Sequence, residues 1–228
     1  MTNILVGDCF DIIPTLPEKS FNLVLTDPPY GLFDRGWDKK VRDWSVWWDL
    51  IENVSADNCS YIIFSAFPDC LDIIQPRKKW FKYELIYQKT KPTGFLNARR
   101  QPLRNHELIL VFARNKMTYN PQGLVKSSIR QNRKNKSANS LYNSVSDKEY
   151  IQKEGNFPRS ILGPYSKPSK CKHPAQKPDA LLDYLVETYS NVGNNVLDPF
   201  AGSGSTGSSC DRLKRNCTLI EKNLNFVY

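Results

Sequence analysis

Seven short apolar runs constrain the fold of this 228-residue chain more than any other feature of its sequence. Most of them are continuous rather than alternating, which is typical of strands that are buried on both faces. Segments with helical spacing separate the runs, so the pattern predicts an α/β fold with a doubly wound, mostly parallel sheet in a single domain over residues 1–228. The predicted strands are Asn3–Val6, Phe21–Thr26, Ser60–Ser65, Tyr83–Gln88, Glu107–Ala113, Asn195–Asp198 and Cys217–Glu221.

Four segments carry helical signals. In the first, three tryptophans share one stripe with Ile51, which predicts that Trp44, Trp47 and Trp48 belong to the core rather than to a base-stacking surface. The predicted helices are Asp43–Asn53, Pro68–Lys79, Asp179–Ser190 and Ser203–Leu213.

Residues 115–170 have no sustained periodicity and are rich in Asn, Ser, Lys and Arg. A stretch of this length without regular structure inside a compact domain is usually functional. We therefore expect a polar, basic insertion here that serves recognition.

The positive charge is concentrated in the middle of the chain. The formal net charge is +9, but Pro76–Ser146 holds sixteen of the 32 Lys and Arg residues and only two of the 23 acids. That span has a surplus of fourteen positive charges, whereas the remainder has a net charge of −5. Such segregation favours a cationic face for a polyanion such as nucleic acid. A solvated basic loop without a partner is the alternative.

Other features limit the class of protein. No apolar run reaches the roughly 18–20 residues of a membrane span, and the first residues lack the basic and apolar regions of a signal peptide. These features predict a soluble cytoplasmic protein without a membrane partner. Six scattered cysteines without a C-x-x-C pair predict free thiols and no metal site.

A first motif, Asp27-Pro28-Pro29-Tyr30, directly follows the apolar run Phe21–Thr26. Two prolines cannot continue a central strand, so the chain must leave the sheet at the strand's carboxyl end, where open α/β sheets bind ligands. A carboxylate and a proline carbonyl suit the two hydrogens of an exocyclic amine, and the tyrosine ring suits stacking on a base. A purely structural turn is the alternative.

A second motif lies near the other end of the chain. Gly202, Gly204 and Gly207 form a G-x-G-x-x-G between a predicted strand and a predicted helix, and Glu221 ends the next strand. This context is typical of nucleotide binding, although the glycines could also serve helix–strand packing. Asp198 beside the glycines would repel a pyrophosphate, but it suits an ammonium or sulfonium group. The motif therefore favours S-adenosylmethionine over a dinucleotide.

Together the two motifs resemble the S-adenosylmethionine-dependent amino-methyltransferases of DNA, specifically the circularly permuted β class with an adenine-N6 type Asp-Pro-Pro-Tyr motif. In that class the catalytic half comes first and the cofactor loop Asp198–Gly204 comes last. Three further segments resemble the family: Gly7-Asp8-Cys9, Asn105-His106-Glu107 and His173-Pro174-Ala175-Gln176-Lys177-Pro178. The motifs span nearly the whole chain in the expected order.

The resemblance implies methyl transfer from S-adenosylmethionine to the 6-amino group of adenine in double-stranded DNA, with the target base flipped out of the helix. The implied catalytic residues are Asp27, Pro28, Pro29 and Tyr30. The implied cofactor-binding residues are Asp8, Cys9, His173, Lys177, Asp198, Phe200, Gly202, Gly204, Thr206 and Glu221. The basic span supplies the predicted DNA-binding residues, which are Arg99, Arg100, Lys126, Arg130, Arg133 and Lys134.

Several alternatives remain at this point. Methylation of the 4-amino group of cytosine has the same local geometry, RNA is a weaker candidate substrate, and a non-catalytic DNA-binding relative is the alternative from another class. Thr206 could contact the cofactor or merely cap its helix, Lys177 could belong to a helix-entry turn, and His106 is expected to be a packing residue. A homodimer is compatible with the sequence, which does not set the number of copies.

Overall fold

The computed structural model describes residues 1–31, 40–131, 150–167 and 176–223. All seven predicted strands are present, most with longer bounds than expected. The strands are β1 (Thr2–Val6), β2 (Phe21–Thr26), β3 (Ser55–Ser65), β4 (Phe81–Thr93), β5 (Arg104–Ala113), β6 (Val125–Gln131), β7 (Tyr150–Gly155), β8 (Ile161–Tyr165), β9 (Asn195–Asp198) and β10 (Asn216–Glu221). The helices are α1 (Cys9–Ile12), α2 (Trp44–Val54), α3 (Cys70–Ile74), α4 (Asp179–Tyr189) and α5 (Ser205–Arg212).

The chain divides into two compact units, Met1–Asn120 with Ser160–Tyr228 and Pro121–Arg159. The first unit contains an eight-stranded sheet in the order β1-β10-β9-β2-β3-β5-β4-β8. Among the described strands of this sheet, only β5 runs against the others, because a short loop joins it to β4 and parallel neighbours would need a long crossover. The predicted α/β class with a mostly parallel sheet is confirmed. The second unit contains the antiparallel pair β6 and β7.

Helices cover both faces of the eight-stranded sheet. On β3, Ile62 and Phe64 belong to the core that packs under α4 and α5, while Tyr61 and Ile63 belong to the core under α1, α2 and α3. Trp47 and Trp48 are fully buried in the second core, as predicted.

The strand order positions the candidate site. Because β1, β10, β9 and β2 are adjacent and parallel, their carboxyl ends meet at one edge of the sheet. Four acids lie there, at or just beyond the strand ends: Asp8, Glu221, Asp198 and Asp27. Since β5 runs in the opposite direction, its beginning lies at the same edge and brings Glu107 there. We call this edge the carboxyl edge.

Two expectations about secondary structure are wrong. Residues 115–170 are not structureless, because they contain β6, β7 and β8. The predicted helix Pro68–Lys79 is instead the short α3 followed by a 3₁₀ segment, Gln75–Trp80, with Pro76 near its start.

The described residues bear on two further predictions, which concern the cysteines and membrane-spanning segments. Five cysteines, Cys9, Cys59, Cys70, Cys210 and Cys217, are free and buried, whereas Cys171 lies outside the described residues. In the described ranges, no helix combines the length and the apolar character that a membrane crossing requires.

Candidate active site

The turn after β2 presents the Asp27 carboxylate between two donors. The Tyr30 hydroxyl donates to Asp27 Oδ1 at 2.8 Å, and the Lys177 ammonium pairs with Asp27 Oδ2. Pro28 is buried, which fixes the turn against the sheet. A carboxylate has about four lone-pair positions, so Asp27 keeps acceptor capacity for a ligand. Its side chain is 22% exposed.

A row of alternating charges extends from Asp27 into the sheet. Lys177 Nζ lies 3.4 Å from Glu107 Oε2, and Lys89 Nζ lies 3.1 Å from Glu107 Oε1. The Lys177 side chain is only 9% exposed and its ammonium lies 4.9 Å from the centroid of the Phe64 ring. The row holds two positive and two negative groups, so the buried charges balance.

The surroundings shift the protonation equilibria in this row. Burial raises the pKa of Asp27 above its usual value, and the Lys177 ammonium and the Tyr30 hydroxyl offset only part of that effect. Burial acts to lower the pKa of Lys177, but Asp27 and Glu107 outweigh it and raise that pKa. Burial acts likewise to raise the pKa of Glu107, but Lys177 and Lys89 outweigh it and lower that pKa. Lys177 is therefore a fixed cation beside Asp27.

A second carboxylate, Asp198 at the end of β9, lies in a different setting. Its oxygens accept hydrogen bonds from the hydroxyls of Thr26 and Thr206, each at 2.7 Å, and from the backbone N–H of Phe200 at 3.2 Å. All three donors are neutral, and Asp198 is only 3% exposed. Burial raises the pKa of Asp198 to about 6, although these hydrogen bonds oppose the shift. Because Thr26 immediately precedes Asp27, this bond joins the two motifs.

The three glycines of the second motif serve different purposes. Gly202 and Gly204 have φ of +51° and +73°, which favours glycine, and a Cβ on Gly202 would meet nothing within 4 Å. The backbone there is consequently open to a ligand. Gly207 instead packs α5 against the sheet, since a Cβ would lie 2.9 Å from the side chains of Leu219 and Thr2.

The predicted cofactor residues gather along the carboxyl edge. Glu221 Oε2 accepts from the Gly202 N–H at 2.9 Å and thereby ties β10 to the glycine loop. Asp8 caps α1 through the Phe10 N–H at 3.0 Å and lies 2.9 Å from Lys222 Nζ.

Three of these residues can be described by their contacts and burial. The Thr206 hydroxyl donates to Asp198, so it does not cap α5, which begins without a side-chain cap after Gly204. Cys9 is buried, and its burial raises the pKa of the thiol to about 12. Phe200 stacks on Trp47 with ring centroids 6.3 Å apart.

A cleft of about 560 Å³ opens beside the turn that follows β2. Pro29 and Tyr30 line one side, and residues 40–45 together with Asp69 line the others. No group of three or more His, Cys, Asp or Glu is placed to hold a metal ion within the described ranges.

The predicted DNA-binding residues are distributed over both units. Arg99 and Arg100 are exposed on the loop between β4 and β5, and Lys126 is exposed on β6 in the second unit. Arg130 also belongs to β6. Arg133 and Lys134, and the predicted cofactor residue His173, lie outside the described residues. His106 is exposed on β5, so the expectation that it packs in the interior is wrong.

Sequence reasoning missed two members of the site. Glu107 was recognised only as the start of a strand, and its contact with Lys177 joins residues 70 positions apart. Thr26 was counted as the last residue of β2, although its hydroxyl reaches Asp198. The sequence held one usable signal for Glu107, because an acid at the start of an otherwise apolar buried strand needs a cationic partner.

Comparisons with known proteins identify the family and the fold. A family model described as DNA methylase matches residues 21–228. The type II methyltransferase M.HinfI of Haemophilus influenzae is 26% identical over 262 residues, which cover 100% of this chain and 66% of that protein. The chain thus spans just under two thirds of that relative's length.

Two solved structures share the fold. The M1.HpyAVI–SAM complex superposes with a TM-score of 0.68 at 24% identity, covering 99% of this chain and 96% of that one. The cytosine-N4-specific PvuII DNA methyltransferase also gives a TM-score of 0.68, at 14% identity, covering 99% of this chain and 83% of that one. At these identities the similarity establishes the Rossmann-like α/β fold alone.

Proposed function

Because this chain belongs to the N6/N4 DNA methylase family, we propose that it transfers a methyl group from S-adenosylmethionine to the 6-amino group of adenine in double-stranded DNA. The observation that carries the proposal is the junction of the two motifs. Thr26 Oγ1 donates to Asp198 Oδ1 at 2.7 Å, and the next residue, Asp27, begins the catalytic turn. The acceptor of the amine and the cofactor loop are thereby held on neighbouring strands.

The cofactor side fits S-adenosylmethionine better than a phosphate-bearing nucleotide. Asp198 and Glu221 place two carboxylates beside the open backbone at Gly202. Carboxylates attract the ammonium and sulfonium groups and repel a pyrophosphate. Asp8 and the residues around Cys9 lie at the neighbouring strand end, where we place the cofactor adenine. When bound, S-adenosylmethionine supplies an electrophilic methyl group.

On the target side, the chain's own groups prepare the amine. Its nitrogen lone pair is delocalised into the base, so it is a weak nucleophile. Asp27 and the Pro28 carbonyl accept its two N–H hydrogens, which favours a tetrahedral nitrogen with its lone pair directed at the methyl group. Tyr30 and Lys177 fix the Asp27 carboxylate before the base arrives, so little reorganisation is needed. After transfer, the nitrogen returns to neutrality by releasing one proton toward the Asp27 carboxylate or water.

The target base must leave the duplex to reach Asp27, so we include base flipping in the mechanism. The order of the motifs, with Asp27 before the glycine loop, is that of the permuted β class, and we assign the chain to it. Target recognition is assigned to the insertion over residues 115–170, within one methyltransferase domain over 1–228. Exposed Arg99, Arg100 and Lys126 are assigned to the DNA phosphates.

Cytosine-N4 methylation is the second candidate, because the PvuII enzyme with that specificity has the same fold. Labelled S-adenosylmethionine should be incubated with unmethylated duplex DNA and, separately, with RNA, and the products digested to nucleosides. We expect label in N6-methyladenine from DNA. Label only in 4-methylcytosine would overturn the adenine assignment, and label only in RNA would overturn the DNA assignment.

A further inference from the structure

The loop between β4 and β5 carries two adjacent apolar side chains on its surface. Phe95 is 71% exposed and Leu96 is fully exposed, at 102%. Neither belongs to the two hydrophobic cores of the described residues. A single exposed apolar residue needs no explanation, but a neighbouring pair at the tip of a loop does. We call Phe95 and Leu96 the apolar tip.

The apolar tip is held by an ordered turn. The N–H of Asn97 donates to the Gly94 carbonyl at 2.9 Å, and the N–H of Ala98 donates to the Phe95 carbonyl at 3.1 Å. Gly94 starts the turn with φ of +92°, a conformation that favours glycine. At the base of the loop, Thr93 pairs with Arg104 across β4 and β5. Since the turn already orders the backbone of the tip, binding of the tip to a partner molecule would cost little backbone entropy.

The chain that flanks the apolar tip carries charges of one sign. Between Glu84 and Glu107 the sequence has five cationic residues and no acid. Lys89 is paired with Glu107, whereas Arg99 and Arg100, just after the tip, are exposed. An apolar pair next to cationic side chains is complementary to duplex DNA, in which apolar stacked bases lie between two anionic sugar–phosphate backbones.

The loop also belongs to the carboxyl edge. The strand that follows the loop, β5, begins at Arg104. Glu107 on β5 contacts Lys177, and Lys177 in turn pairs with Asp27. The Arg104 guanidinium reaches the carbonyl of Phe67 just beyond the end of β3, at 3.5 Å. A duplex that delivers a base to Asp27 must therefore pass along the same edge as the apolar tip.

We propose that Phe95 and Leu96 form a wedge that enters the DNA stack and fills the space left by the flipped target base, with Arg99 and Arg100 on the flanking phosphates. The proposal rests on the proposed function, because it presupposes a base that leaves the duplex. Apolar side chains that enter between base steps accompany partial unstacking, and an aromatic ring such as that of Phe95 can stack on the base face that becomes exposed. The wedge thus acts on base flipping and leaves cofactor binding unaffected.

The test uses the full-length double variant Phe95→Ser/Leu96→Ser and a matched control, Val192→Ser. Val192 is also exposed, at 68%, but it precedes β9 and so lies at the opposite edge of the sheet. The recognised site is first located by mapping the bases that the wild-type protein methylates. Methyl transfer is then measured on two synthetic duplexes, one with the target base paired and one with an abasic position opposite it, which removes the pairing that flipping must break.

We expect the double variant to lose at least about tenfold in rate on the paired duplex and to recover most of that loss on the abasic duplex. Val192→Ser should match the wild type on both. Equal rates for the double variant and the wild type on the paired duplex would overturn the wedge, and so would an equal loss on both duplexes. A loss that sedimentation traces to changed self-association would assign the tip to a contact between copies and also overturn it. Failure of the wild type to methylate any DNA would instead refute the proposed function.

Discussion

Asp27 and Asp198 lie at the ends of neighbouring parallel strands, but their surroundings differ. Asp198 accepts from two hydroxyls and one backbone N–H, all neutral, and is almost fully buried. Asp27 pairs with a lysine and a tyrosine hydroxyl and keeps part of its side chain exposed. The first arrangement fastens a loop, whereas the second leaves a carboxylate partly accessible. In the proposed function, Asp198 is the cofactor-side carboxylate and Asp27 is the target-side carboxylate.

The largest expected effect comes from removing the target-side carboxylate. Asp27→Ala should lower the rate of methyl transfer by about 10²–10³-fold, since one preorganised acceptor of the developing charge is lost. The dissociation constant for S-adenosylmethionine, measured by calorimetry, should change little. If the variant retained wild-type turnover, Asp27 would have no role in catalysis, and the proposed difference in function between Asp27 and Asp198 would be wrong.

The next test changes the charges around Asp27. Removing one partner of a buried ion pair leaves a charge whose burial costs about 3–5 kcal/mol. Lys177→Gln should therefore raise the pKa of Asp27, move the acid limb of the pH–rate profile to higher pH, and lower the rate at pH 7 by about tenfold. Glu107→Gln removes a negative charge that raises the pKa of Asp27, so its acid limb should move to lower pH.

Opposite shifts distinguish electrostatics from a structural role. Among the described residues, the charged groups that face Asp27 are Lys177, Glu107 and, more distantly, Asp198. Tyr30 donates a hydrogen bond to it. The control is Arg212→Gln, which breaks the ion pair between α5 and Asp183 on α4, away from the carboxyl edge. If the acid limb of the pH–rate profile moved in the same direction in Lys177→Gln and Glu107→Gln, the proposed electrostatic effect of these two residues on Asp27 would be wrong.

A smaller effect on turnover, together with a change in stability, should follow from Asp198→Asn. The pKa of Asp198 is raised to about 6 in the folded protein, above its unfolded value of 3.8. The folded state therefore binds the proton more tightly, and this group's contribution to stability is full below pH 4 and is lost as the pH rises through about 6. The loss is about 3 kcal/mol, so the unfolding free energy of Asp198→Asn should depend less on pH between 4 and 6.

Asp198→Asn should also weaken S-adenosylmethionine binding. A hydrogen bond to a charged group is worth about 1–1.5 kcal/mol more than a neutral one, which corresponds to about tenfold in the dissociation constant. The turnover at saturating cofactor should change much less than in Asp27→Ala. A variant that binds the cofactor normally but loses turnover would reverse the roles of the two carboxylates.

The smallest effect concerns neither carboxylate. Arg99→Ala/Arg100→Ala should reduce the slope of log binding constant against log salt concentration by about 2, because each phosphate contact contributes about 0.9. Lys79→Ala/Lys82→Ala removes the same charge at the beginning of β4, on the opposite edge, and should leave the slope unchanged. Equal slopes for both double variants and the wild type would exclude Arg99 and Arg100 from the DNA surface.

Local sequence patterns predicted most of this fold. Phe21–Thr26 and Asn195–Asp198 have the predicted bounds, because continuous apolar runs ending at a proline or at a glycine loop leave little choice. The strand β8 was missed because Gly163 and Pro164 interrupt its short sequence. A proline is tolerated in an edge strand, and β8 is the outermost strand beside β4. Its pairing with β4 depends on tertiary structure.

The candidate site was predicted less completely, for a related reason. Asp27, Asp198 and Glu221 were predictable because each follows or ends a strand that carries a motif. The contact of Lys177 with Asp27 joins residues 150 positions apart, and that of Thr26 with Asp198 joins residues 172 positions apart. No spacing rule reaches across such separations, so sequence alone assigned Lys177 to the cofactor rather than to the carboxylate it contacts. Its predicted contact with the cofactor stays a prediction.

The most direct test of the account is to express the wild-type protein and Asp27→Ala in a bacterial host that lacks its own DNA methylases, and to map the modified bases in the genomic DNA. The wild type should leave N6-methyladenine at one short recurring sequence, and Asp27→Ala at equal abundance should leave none. Modified cytosines without modified adenines, or unmodified DNA from a well-expressed wild-type protein, would contradict it.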